Sequence, residues 1–179
     1  MERLRSFPPL SCAESRVLVL GSMPGAASLA AQQYYAHRHN AFWPIMCDLF
    51  DIDSTQPYDA RCRSLLQVGV AVWDVLEQCR RVGSLDADIE KGSIVANDFR
   101  GFFDTHPCIG TVFFNGATAH NLFRRHVARG LSDATLRALQ LVRLPSTSPA
   151  HAAMTRAQKV AAWAAVREAL EQPLAGDDA

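Results

Sequence analysis

The sequence predicts an α/β fold, a three-layer sandwich with a central four-stranded parallel sheet. Three observations carry that reading. Four short β-branched or apolar runs, at about 16–20, 70–76, 109–114 and 139–144, alternate with stretches of helical apolar spacing. Alternation of this kind builds a parallel sheet covered on both faces. The polar and glycine-rich segments Gly21-Ser22-Met23-Pro24-Gly25, Asp74, Asn115-Gly116 and Pro145 to His151 each follow or close one of those runs. In open α/β sheets that edge holds the ligand. Finally, 179 residues suffice for one domain with a substantial core, so residues 1–179 are read as a single domain.

Residues 1–15 read as an irregular lead-in, because Pro8-Pro9 opposes regular structure. The first strand, Val17-Leu18-Val19-Leu20, breaks at a tight turn with glycines on either side of Met23-Pro24. A short helical patch leads into Gln33-Tyr34-Tyr35, and a helix is expected from about Ala41, with Pro44 in its first turn and Ile45, Met46, Leu49 and Phe50 turned inward. A loop over 51–58 precedes a helix from about Asp59 to Gln67, closed near Gly69. Strand two spans Val70 to Leu76, followed by Cys79-Arg80-Arg81 and a breaker-rich linker, Gly83-Ser84-Leu85-Asp86. Asn97 or Asp98 caps a helix that runs to about His106. Strand three, Ile109 to Phe114, turns at Asn115-Gly116 into a helix from Ala117 to about Arg129. A short helix over 133–138 and strand four, Leu139 to Leu144, come next. Thr155 and Gln158 form a capping-box pattern before a helix that buries Val160, Trp163, Val166 and Leu170. The tail from Pro173 to Ala179 is acidic and expected to fray.

Composition excludes several classes. Lys+Arg and Asp+Glu both number 18, so bulk charge does not announce a nucleic-acid binder and any such contact must be local. No apolar run approaches the length of a membrane span, and the N-terminus has no apolar signal core, so a cytoplasmic protein is expected. The five cysteines are scattered and odd in number, which fits free, reduced thiols rather than an iron–sulfur cluster. The six histidines lack metal-ligand spacing, so neither metal nor cofactor is expected.

The chemistry concentrates in residues 16–46. A strand-end glycine turn offers backbone amides. About twenty residues later, Asn40-Ala41-Phe42-Trp43 offers an amide side chain and flat rings. Together these are the parts needed to hold an extruded base and place water against its sugar. Asn115 is a further candidate to line the base pocket. Each part also has an ordinary reading: Gly21 to Gly25 as a common turn, Asn40 as a turn or cap asparagine, Phe42 as core, Asp74 as a capping or solvent-facing aspartate, and Asn115 as half of a routine turn pair. His37, Arg38 and His39 form a positive patch beside two tyrosines, suited either to a phosphate backbone or to solvent.

GSMPG, then QQYYAHRHNAFWPIM, then LPSTSPAHA, in that order over nearly the whole chain, resembles the uracil-DNA glycosylase superfamily, and within it the hypoxanthine-DNA (deoxyinosine) glycosylase branch. The resemblance implies a uracil-DNA glycosylase-like fold and a DNA partner, double- or single-stranded, that carries a deaminated base. It implies a monofunctional enzyme that cleaves the N-glycosidic bond and works as a monomer. It places the catalytic asparagine at Asn40, where an amide positions water under an oxocarbenium-like sugar. It implies that Phe42 stacks on the flipped base, and it sets Asp74 where relatives use an amide to read that base. A carboxylate at Asp74 could accept the N1–H of hypoxanthine, and the turn of Gly21, Ser22, Met23, Pro24 and Gly25 could donate backbone N–H groups to its O6 or N7, Pro24 lacking an N–H of its own. Pro145, Ser146, Thr147, Ser148 and His151 resemble the minor-groove loop. The chain departs from the pattern in three places. Ser22 and Met23 replace an acid or amide, Arg38-His39 replaces Pro-Arg, and Leu144 replaces a histidine. No lysine lies in the motifs, so Schiff-base lyase chemistry is not expected. Uracil, xanthine or mismatch specificity on the same fold, or a non-catalytic nucleotide- or DNA-binding module, are the rival readings.

Overall fold

A computed structural model describes residues 3–172, so the acidic tail lies outside the described residues. The strands are β1 (Leu4–Arg5), β2 (Val17–Gly21), β3 (Val70–Asp74), β4 (Leu76–Cys79), β5 (Val95–Ala96), β6 (Thr111–Asn115) and β7 (Gln140–Leu144). The helices are α1 (Ala26–Ala31), α2 (Phe42–Phe50), α3 (Tyr58–Gln67), α4 (Phe99–Thr105), α5 (Ala117–His126), α6 (Asp133–Ala138) and α7 (Arg156–Glu171). β3, β2, β6 and β7 form the expected parallel four-stranded sheet in that order. The chain runs from β2 outward to β3, then returns across β2 to β6. The strand order therefore reverses beside β2, the geometry that opens a crevice at the carboxyl edge.

β2 and β3 are buried along their whole length and β6 up to Asn115, as expected of strands covered on both sides. Leu20, Trp73 and Phe114 lie in register and point to one face. There Trp73 meets Phe99 and Phe102, and Phe114 meets Phe123, so α4 and α5 cover that face. A second helical layer is knit by Phe42 against Trp163, joining α2 to α7, and by Trp43 against Tyr58, joining α2 to α3. Thr155 and Gln158 make the reciprocal capping box that starts α7, and Asp98 caps α4 by accepting from the Gly101 amide. Among the described residues no helix is long and apolar enough to cross a membrane.

Two expectations need correction. The run 70–76 is not one strand. β3 ends at Asp74, where the Val75 and Leu76 amides donate to the carbonyls of Gly21 and Ser22, and Leu76 opens a strand of a second, antiparallel sheet ordered β1-β4-β5. The lead-in is also partly regular, because Leu4 and Arg5 pair with Cys79 and Gln78, and Leu10 bridges Val72.

Candidate active site

The carboxyl ends of β2, β3 and β6 open into one cavity of about 440 Å³, large enough for a small-molecule-sized group such as a single base. Its first wall is the glycine turn with Asp74 and the segment after β4. Gly21 is required by close approach rather than by its backbone angle. A Cβ there would sit 2.4 Å from Asp74 Oδ1 and 3.2 Å from the Tyr35 hydroxyl. The turn is held from behind by Arg81, whose side chain is fully buried. Its guanidinium donates to the carbonyls of Pro24 (2.5 Å) and Gly83 (3.2 Å) and lies 3.7 Å from Asp86. Asp86 in turn accepts from the Ser22 hydroxyl at 2.7 Å. The Ser84 hydroxyl accepts from the Ala26 amide at the start of α1.

Asp74 is 4% exposed and its Oδ2 has no hydrogen-bond partner. Burial, then the like charge of Asp86, push its carboxyl up to about 8, against the opposing pull of Arg81. The group is therefore largely protonated at neutral pH. Burial also raises Asp86, offset by the Ser22 hydrogen bond and Arg81. Tyr35 is raised by burial and by Asp74, so its hydroxyl keeps its proton.

The second wall comes from the segment before α2 and the loop after β7. Tyr34, Tyr35, His37 and Asn40 line it, with Ser146 to His151 opposite the turn. Tyr35 adopts φ 56°, a left-handed conformation unusual for a side-chain-bearing residue, and its hydroxyl is buried without a partner. Asn40 is half-buried, and its Oδ1 accepts from the Phe42 amide at 3.0 Å. It thus fills the cap-like role that its position allowed and faces the cavity as well. An amide carbonyl has a second lone pair.

Of the expected site residues, Phe42, Arg38 and Pro145 do not line the cavity. Phe42 is 0% exposed and does not line the cavity. It lies beneath Tyr35, stacked at 4.0 Å, with Trp43 and Trp163 at its edges, so the ring that faces the cavity is Tyr35. Arg38 is exposed and outside the cavity lining, although His37 is part of it. Pro145 is an anchor, its carbonyl accepting from Trp163 Nε1. Thr147 is buried and bonded to Asn115 at both ends. Its amide donates to Asn115 Oδ1 and its hydroxyl accepts from Asn115 Nδ2, each at 2.8 Å, while its carbonyl accepts from the Ala41 amide. Each end of Asn115 thus holds one bond to Thr147, and both residues line the cavity. The loop's serines and His151 remain at the cavity, and Lys159 Nζ pins the His151 carbonyl at 2.8 Å. Gly21 to Gly25, Asp74 and Asn40 do share one crevice.

Sequence reasoning missed Arg81, Asp86 and Tyr35. For Arg81, the one available signal was a second basic residue two positions before a glycine. For Tyr35 it was an aromatic five residues before Asn40.

Comparison with known proteins agrees with this architecture. Residues 8–170 match the model of the Uracil DNA glycosylase superfamily. The chain is 33% identical over 114 residues to a protein of Methanosarcina barkeri named hypoxanthine DNA glycosylase, covering 63% of this chain and 70% of that one. It is 31% identical over 116 residues to one of the same name from Methanosarcina acetivorans, covering 64% and 72%. A solution NMR structure of a protein from Methanosarcina acetivorans, put forward as a uracil DNA glycosylase, superposes with a TM-score of 0.76 at 28% identity, over 96% of this chain and all of that one. With a matching family model over nearly its whole length and a parallel sheet that opens its cavity at the carboxyl edge, this chain belongs to the uracil DNA glycosylase superfamily.

Proposed function

We propose that this protein is a monofunctional DNA glycosylase that removes deaminated bases, chiefly hypoxanthine, and leaves an abasic site. One observation carries the reading. The Asn40 amide, the Tyr35 ring, the Asp74 carboxyl and the Gly21–Gly25 turn converge on one base-sized cavity. The names of the two Methanosarcina relatives support the choice of base. The flipped nucleotide enters at the carboxyl edge, and its base lies against Tyr35, where stacking contributes about 1–3 kcal/mol. Asn40 holds a water on the free lone pair of its carbonyl and directs it at C1′ as the glycosidic bond opens. Ser146, Ser148 and His37 flank the mouth, where they meet the sugar–phosphate backbone. Among the described residues no lysine lines the cavity, in keeping with hydrolysis rather than lyase chemistry.

The test is base release from duplexes carrying inosine, xanthosine, uracil or a mismatch. Release is expected fastest from inosine. Faster release of uracil or xanthine would reassign the substrate. Tight binding of inosine DNA with no base released from any duplex would make the protein a binding module.

A further inference from the structure

Among the described residues, three buried side-chain polar atoms lack a hydrogen-bond partner: Arg16 Nε, the Tyr35 hydroxyl and Asp74 Oδ2. The last two belong to residues of the same cavity, and both residues crowd the space that a Cβ on Gly21 would take. An unsatisfied buried polar atom is costly, and in a site it marks where a ligand group belongs. Asp74 has no cation of its own. Arg81 is committed to Asp86 and to the carbonyls of Pro24 and Gly83, and the nearest acidic neighbour, Asp86, repels a second negative charge. A carboxylate in that setting would lie buried without a donor. A neutral carboxylic acid has an O–H to give.

We propose that Asp74 works as a neutral acid, donating a hydrogen bond to the oxo oxygen of the departing base. There it stabilises the negative charge that gathers as the C1′–N bond breaks. The proposal rests on the glycosylase reading and sharpens it. Deamination replaces an amino group with an oxo group, and an O–H donor matches the product of that change. A carboxyl group held neutral for this purpose is a known electrostatic device. No proton leaves Asp74 for good. The bonding pair stays with the base, water oxygen bonds to C1′ and yields its proton to solvent, and the base takes one proton from solvent. The position where the sequence pattern leads one to expect a histidine holds Leu144, which is buried and has no proton to offer.

The direction of the pH dependence follows. The acid is competent below its raised midpoint and fails above it, so excision falls as pH rises through about 8. Other titratable or charged groups at the site are Asp86 and Arg81 after β4, Tyr34, Tyr35 and His37 before α2, and His151 after β7. The substrate N1–H also ionises in alkali. The experiment therefore compares proteins rather than reading one curve. Single-turnover release from an inosine duplex is measured between pH 6.5 and 9.5 for the wild type, Asp74→Asn and Asp74→Ala, with duplex binding and a thermal melt as folding controls. The wild type should lose about tenfold per pH unit above its midpoint. Asp74→Asn, which keeps a donor but cannot ionise, should be slower by up to about tenfold at neutral pH and should not share that loss. Asp74→Ala should fall by about 10²–10³ at neutral pH. A wild-type rate that climbs through pH 8 overturns the proposal in favour of a carboxylate acceptor, and needs no variant to fold. Superimposable profiles for wild type and Asp74→Asn overturn it too. Wild type that releases no base at any pH refutes the glycosylase reading itself, and this proposal with it.

Discussion

The two walls of the cavity are built on different physics. The wall formed by Gly21 to Gly25, Asp74 and Asp86 is organised by a buried cation, with Arg81 drawing carbonyls and a carboxylate inward. The wall formed by Tyr35 to Asn40 and Ser146 to His151 is organised mainly by hydrogen bonds between backbone amides and uncharged side chains, with Lys159 on the His151 carbonyl, and its tip at Pro149 and Ala150 is exposed. A buried charge fails expensively when its partner is lost, whereas a net of neutral bonds fails in small steps. The first wall is therefore coupled to folding and the second to alignment, and substitutions in the two should separate along those lines.

Asn40→Ala gives the sharpest test. Base release should drop by about 10²–10³ or more, with inosine-duplex binding retained. The lost bond to the Phe42 amide should cost only about 1 kcal/mol in a urea titration. Equal loss of binding and stability would abolish the contrast between walls. Arg81→Met should do the opposite, destabilising the chain by about 3 kcal/mol in the same titration because Asp86 and the turn carbonyls lose their cation. A stable Arg81→Met protein would show that the turn holds itself. Next in size is a linkage effect. The folded Asp74 carboxyl is raised, so its stabilising contribution is complete below the unfolded value near 4 and is lost as pH rises through about 8. Wild-type melting temperature should fall across that window, and Asp74→Asn should flatten the fall. Smallest is Thr147→Val, which leaves Asn115 Nδ2 without its acceptor and should cost about 1–2 kcal/mol, with release slowed less than by Asn40→Ala.

Much of the fold was written in local pattern. Apolar runs fixed the four parallel strands, and Thr155-x-x-Gln158, Asp98 and Gly69 marked helix ends that the structure keeps. The glycine turn, Asp74 and Asn40 were readable as site residues because each stands at or just beyond a strand's carboxyl end, or opens a helix. What stayed hidden depends on distant partners. Arg81 looks like any surface arginine beside Arg80, and its burial is decided by carbonyls more than fifty residues earlier. The two-residue strands β1 and β5 are too short for periodicity to register. Tyr35 and Phe42 are both aromatics near Asn40, and nothing in the local sequence says that Tyr35, at φ 56°, lines the cavity while Phe42 lies beneath it. Likewise, nothing local in Pro145 to Ser148 shows that Thr147 is buried and tied to Asn115.

Tyr35 stacked on Phe42, and Phe42 edge-on to Trp163, form an aromatic chain from the cavity to the middle of α7. The width of the slot is thus inherited from interior packing. A substitution at Trp163, far outside any contact with a nucleotide, can let Phe42 settle and Tyr35 follow, widening the opening by a fraction of an ångström. Selectivity among purines and pyrimidines would then drift through changes that a survey of contact residues alone would pass over.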